Sequence, residues 1–83
     1  MPKSTHTEEY DRFRLLLIEA RKGAGLSQAD LAERLGKPQS FVSKFERGER
    51  RLDVFEFRQV ADAIGIEPLR FLRKVYGPRD GSK

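Results

Sequence analysis

The chain has 83 residues, no cysteine and a formal net charge of +4. A chain this short holds one domain near the lower limit of what a single apolar core stabilises, and without thiols neither a disulfide nor a thiolate metal site adds to that core. With 37% hydrophobic and 36% charged residues the balance is that of a soluble globular protein. No apolar run approaches the roughly 20 residues of a membrane span, and the opening stretch MPKSTHTEEY lacks the apolar segment of a leader. A cytoplasmic protein with no membrane partner is expected.

Residues 1–6 are polar and without periodicity, which predicts a flexible tail. His6 is the only histidine, and alone it makes neither a metal site nor an acid–base pair. Thr7 suits the cap of a first helix, with Glu8 and Glu9 in the first turn, where the helix dipole favours negative charge. Phe13, Leu16, Leu17, Ala20 and Ala24 then recur at helical spacing and predict one buried stripe, ended by Gly23 and Gly25. Leu15 and Ile18 lie off that stripe. Cover by the last helix is the preferred reading for them, against plain exposure or a subunit contact.

Ser27 opens a second helix, with Asp30 as its capping-box partner and Leu26 and Leu31 as a hydrophobic staple. Its apolar positions Leu31, Ala32 and Leu35 stop at Gly36, where a left-handed backbone is needed. A third helix runs from Pro38, at the first helical position, through the inward residues Val42 and Phe45 to Gly48. Each of these two helices has about two to three turns, too few to be stable alone, so they must pack on each other and on the rest of the chain. That is a helix-turn-helix. After the charged loop Glu49, Arg50, Arg51, a fourth helix starts with Asp53 as cap, Glu56 three residues on, and the staple Leu52 with Phe57. Phe57, Val60, Ala61 and Ile64 form its buried stripe, and Gly65 ends it. Pro68 opens a fifth helix with Leu69, Leu72 and Val75 facing inward, leaving Phe71 and Tyr76 without a place in the core. From Gly77 the chain is Pro, Gly and polar, which predicts a second flexible tail over 77–83 around a folded domain at 7–76. No strand pattern or internal repeat is present.

The residues Gly25, Leu26, Ser27, Gln28, then Leu31, Ala32, Leu35, Gly36, then Val42, Ser43, Lys44, Glu46, Arg47 and Gly48 resemble the lambda-repressor-like, or Cro/repressor (XRE), family of helix-turn-helix DNA-binding proteins. The resemblance extends from about Phe13 to Leu72. It implies an all-α fold: a compact five-helix bundle of the lambda-repressor-like type with the motif formed by helices 2 and 3. It further implies that Gln39, Ser40 and Lys44 face bases, that Gln28 meets a phosphate, and that Arg21 and Glu46 form an ion pair tying helix 1 to the end of helix 3.

The residues themselves point the same way. Opposite Val42 and Phe45, helix 3 carries Gln39, Ser40, Ser43 and Lys44, whose amide, hydroxyl and ammonium tips suit base edges in the major groove. Between residues 37 and 51, five basic residues (Lys37, Lys44, Arg47, Arg50, Arg51) outnumber two acidic ones (Glu46, Glu49), a balance that suits a polyanion as well as an ordinary solvated face. Of these, Lys37, Arg47, Arg50 and Arg51 are expected at phosphates, giving affinity without sequence information. Phe41 either pads the contact between helices 2 and 3, the preferred reading, or touches a thymine methyl group. Catalysis is not expected: Ser27, Ser40 and Ser43 have no histidine partner, and there is no glycine-rich phosphate loop. Neither cofactor, metal nor small-molecule ligand is expected. The function implied is a sequence-specific transcriptional regulator placing helix 3 in the major groove of operator DNA, with a protein-interaction module or antitoxin-type partner as the alternative. One such motif covers few base pairs, so a homodimer is expected, with Phe71, Val75 and Tyr76 as contact candidates and Leu15 or Ile18 behind them. The alternative is a fifth helix folded over Leu15 and Ile18, giving a monomer that pairs only on DNA.

Overall fold

Short-range side-chain chemistry sets where four of the five described helices of this chain begin. In the computed structural model, which describes residues 7–77, the five are α1 (Glu8–Gly23), α2 (Gln28–Leu35), α3 (Gln39–Glu46), α4 (Val54–Ile64) and α5 (Pro68–Tyr76), with no strand among the described residues. The tails expected at 1–6 and beyond Gly77 lie outside the described residues. The Tyr10 N–H donates to the Thr7 hydroxyl at 3.0 Å. Reciprocal capping boxes close α2, where Ser27 and Asp30 exchange bonds of 3.0 and 2.9 Å, and α4, where Asp53 and Glu56 exchange bonds of 2.7 and 3.0 Å.

Pro38 sits one place earlier than expected. It is the N-cap of α3 rather than its first helical residue, with extended backbone and no side-chain cap. Its carbonyl instead accepts the Phe41 N–H at 3.0 Å, a tight first turn that needs nothing from the ring. Pro68 does occupy the first turn of α5, where the Glu67 carboxylate accepts from the Arg70 N–H at 2.9 Å. Between α2 and α3, Gly36 adopts φ 68°, and the following Lys37 N–H reaches back to the Ala32 carbonyl at 3.0 Å. A Cβ at Gly36 would meet no atom within 4 Å, so the left-handed backbone, not crowding, selects glycine there.

The core lies where α2 crosses α3 and α4, with α1 packed on α3 and α5. Leu31, Val42, Val60 and Ala61 are wholly buried, and Leu17, Ala32 and Phe45 nearly so. At the other end of the core Phe13, Phe57 and Phe71 form a triangle, with ring centroids 5.4 Å (Phe13–Phe57), 6.0 Å (Phe13–Phe71) and 5.8 Å (Phe57–Phe71) apart.

That triangle corrects the expected phase of α5. Phe71 and Val75 face inward, Leu72 is half-buried and Leu69 is exposed. A phenylalanine ring buries more area than a leucine and gains from edge-on contact with its neighbours, so the helix turns Phe71 to the core. Two α1 expectations also change. Ala24 is exposed because it lies past the last turn as the C-cap, and Leu26 packs inward in its place. Leu15 is exposed, not covered by α5, because it points about 200° round the helix from Phe13 and Leu17; Ile18 is half-buried.

Candidate nucleic-acid interface

Helix α3 has two faces of opposite character. Val42, Phe45 and Glu46 are buried, whereas Gln39, Ser40 and Lys44 are exposed and Ser43 is half-buried. The Ser43 hydroxyl turns back to the Ser40 carbonyl at 3.4 Å, which leaves its oxygen lone pairs outward. Phe41, at the margin of the two faces, is half-buried edge-on against Phe45 with centroids 5.6 Å apart. The Arg50 guanidinium lies 4.7 Å and the Lys37 ammonium 5.2 Å from the centre of its ring.

A buried polar network holds the C-terminal end of α3. Arg21 donates from Nε to Glu46 Oε2 at 2.7 Å and from Nη2 to Oε1 at 3.1 Å, and its Nη1 donates to the Leu26 carbonyl at 2.7 Å. Both charges are nearly out of solvent, with 7% of Arg21 and 5% of Glu46 exposed. Such a pair survives burial because the two parallel bonds and the extra carbonyl occupy most of its hydrogen-bonding capacity. Arg14 adds a contact that the sequence did not signal: its Nη1 donates to the Glu46 backbone carbonyl at 2.7 Å, placing a cation at the negative end of the α3 dipole. Gln28, at the first turn of α2, joins from the other side, donating from Nε2 to Glu46 Oε1 at 2.9 Å. Gln39 then donates from Nε2 to Gln28 Oε1 at 3.4 Å. The network therefore runs from the buried ion pair to an exposed tip of α3.

The basic flank carries more carboxylate contact than the charge count suggests. Arg47 pairs with Glu49 at 2.9 Å, and both are more than half exposed. Arg50 makes two bonds to Glu56, at 3.0 and 2.7 Å. The Arg50 guanidinium, followed by the Asp53 backbone N–H, holds the Glu56 carboxyl down at about 2. The Glu49 carboxyl is likewise lowered, by Arg47. Arg51 stacks on the Tyr10 ring with 4.5 Å to its centroid. Gln28 is half-buried, and Lys37 and Lys44 are exposed.

Two of the three residues considered for a subunit contact face the chain's own core. Phe71 and Val75 are each 6% exposed, because they fill the space against Phe13 and Phe57. Tyr76 stands out at 73% exposure, beside a cleft that Val54 and Arg51 also line. Among the described residues no three carboxylate or imidazole groups gather as a metal site, and no helix is long and apolar enough to cross a membrane.

Two short helices packed on each other, with a glycine turn between them and a polar-tipped second helix, define a helix-turn-helix protein. The helix-turn-helix family model matches residues 17–71. An XRE-family like protein from Pseudomonas syringae pv. tomato str. DC3000 is 51% identical, with 82% of this chain and 83% of that chain covered and a TM-score of 0.80. A point mutant of the restriction-modification controller protein C.Esp1396I has the same fold at 18% identity, with 86% of this chain and 90% of that chain covered and a TM-score of 0.78. Comparison with the curated proteins gave no match. The chain belongs to the XRE-type, lambda-repressor-like helix-turn-helix family, which makes it in general terms a DNA-binding transcriptional regulator.

Proposed function

We propose that this protein is a sequence-specific regulator that lays α3 in the major groove of operator DNA. The observation that carries this reading is the division of α3 into a face buried on the core and an exposed face with Gln39, Ser40 and Lys44 at its tips. Gln39, Ser40, Ser43 and Lys44 read base edges, because amide, hydroxyl and ammonium groups match the donors and acceptors of the major groove. Gln28, Lys37, Arg47, Arg50 and Arg51 take phosphates. Arg47 and Arg50 exchange their carboxylate partners for phosphate oxygens on binding, so their net gain is smaller than that of a cation that gives up no carboxylate. The protein acts in the cytoplasm, without catalysis, as a homodimer whose two α3 helices enter the groove about one DNA turn apart. Tyr76, together with the exposed Val54 across the cleft, supplies the apolar part of the subunit contact.

Gel-shift titration of genomic fragments at two salt concentrations tests the function. A few fragments should stay shifted at the higher salt while the rest are released. Release of all fragments in parallel, or no shift at either salt, would refute sequence-specific binding.

A further inference from the structure

We propose that Phe41 is a positioning residue whose ring gathers Lys37 and Arg50, from the two loops that flank α3, into one seat for a DNA phosphate. The inference rests on the phosphate contacts proposed above and adds what holds the two cations in place. Lys37 follows the glycine turn before α3, and Arg50 lies in the loop after it. Yet the ammonium stands 5.2 Å and the guanidinium 4.7 Å from the centre of the same ring. That ring is itself fixed, edge-on at 71° against the buried Phe45 with centroids 5.6 Å apart. A cation over an aromatic face is drawn to the negative side of the ring quadrupole, an attraction that a leucine in the same place lacks.

Two like charges brought over one ring repel each other, and a carboxylate answers them. Glu56 accepts two bonds from Arg50, at 3.0 and 2.7 Å. Arg50 is the first and Lys37 the last of the groups that hold the Glu56 carboxyl down, so one carboxylate feels both cations. In the free protein Glu56 thus stands where a phosphate oxygen would bring the same charge. Lysine and arginine side chains lose rotamer freedom when a phosphate fixes them. The ring removes part of that loss in advance, because it already holds both in the free protein. On DNA a phosphate takes the place of Glu56 at Arg50 and draws in Lys37, while both cations keep the ring. A phosphate is the same under every base, so the seat raises affinity on all sequences alike. A thymine methyl contact by Phe41 would instead act at one position of the operator only.

Titration of a selected operator and of a random duplex across a salt series tests the seat. It is applied to the wild type, Phe41→Leu, Phe41→Tyr, Lys37→Ala and the double variant Phe41→Leu with Lys37→Ala. Phe41→Leu should weaken both DNAs by a similar factor, roughly three- to tenfold, and should flatten the salt dependence as Lys37→Ala does. Phe41→Tyr keeps a ring and should bind as the wild type does. Lys37→Ala should matter less beside Phe41→Leu than alone, because the seat is already open. If Phe41→Leu fails to fold, proton NMR of the free wild type carries the test: the Lys37 ε-methylene and Arg50 δ-methylene protons should be shifted by the ring current of Phe41. Methylenes at their ordinary shifts would overturn the seat while leaving DNA binding standing. So would a Phe41→Leu loss confined to the operator, a Phe41→Tyr loss equal to that of Phe41→Leu, or additive effects of Phe41→Leu and Lys37→Ala. A wild type that binds neither DNA would remove the phosphate contacts and the seat together.

Discussion

The two ends of this small core are held by different physics. Around Glu46 the bonds are directional: Arg14, Arg21 and Gln28 converge on one residue and fix where α3 ends. Around Phe57 three phenylalanine rings from α1, α4 and α5 meet at 5.4 to 6.0 Å. Apolar contact is tolerant of shape, whereas a buried charge is not tolerant of losing its partner. The difference teaches where geometry is specified: the end that presents α3 is built from groups that permit one arrangement, and the end that supplies stability is not.

Changes that leave an apolar side chain in place test that contrast most strongly. Arg21→Met leaves Glu46 buried and unpaired, and should lower stability by roughly 3–5 kcal/mol in a chemical melt. Phe57→Leu keeps an apolar side chain but gives up ring area and two ring contacts, and should cost about 1–3 kcal/mol, less than Arg21→Met. In a double-mutant cycle, Arg21→Met with Glu46→Leu should recover part of the loss, with a coupling above the ~0.2–1 kcal/mol of exposed pairs. Additive single losses, or a Phe57→Leu loss larger than that of Arg21→Met, would reverse the assignment of roles.

A smaller effect should appear on acidification. Glu56 titrates at about 2 in the fold against an ordinary 4.5. A carboxyl whose pKa is depressed by folding contributes stability that is complete above the ordinary value and is lost as pH falls toward the folded one. Stability should therefore decline between pH 4.5 and about 2, and Glu56→Gln should flatten that part of the profile. An unchanged slope in the variant would mean that the Arg50–Glu56 bonds contribute nothing in solution.

The smallest effect on stability belongs to Tyr76→Glu, since the side chain is mostly exposed; the change should stay within about 0.5 kcal/mol. Its sedimentation should nevertheless shift from dimer to monomer at micromolar concentration. A variant that still pairs, or a monomeric wild type, would remove this surface as the subunit contact.

How much of this was legible in the sequence follows from the range of each interaction. Ser27 with Asp30 and Asp53 with Glu56 act over three residues, so both helix starts could be read directly. The inward face of α3 was also legible, because Val42 and Phe45 recur at helical spacing there and Phe41 only widens the same stripe. The face of α5 was not. Leu69 with Leu72 and Phe71 with Val75 are both apolar stripes, and what decides between them is the ring triangle with Phe13 and Phe57, distant in sequence. Contact of Arg14 with the Glu46 carbonyl spans 32 residues and that of Gln28 with its carboxylate spans 18, and neither leaves a local signal. The carboxylate partners of Arg47 and Arg50 lie close in sequence, yet a charge count alone does not pair them.

The central claim is that α3 reads bases while the flanking cations hold the backbone. Binding of Gln39→Ala, Lys44→Ala and Arg51→Ala to a selected operator and to a random duplex, across a salt series, tests it most directly. Gln39→Ala and Lys44→Ala should each lose on the order of 1–3 kcal/mol on the operator and little on the random duplex. Arg51→Ala should weaken both DNAs alike and flatten the salt dependence. Equal losses on both DNAs for Gln39→Ala and Lys44→Ala would contradict base reading by α3.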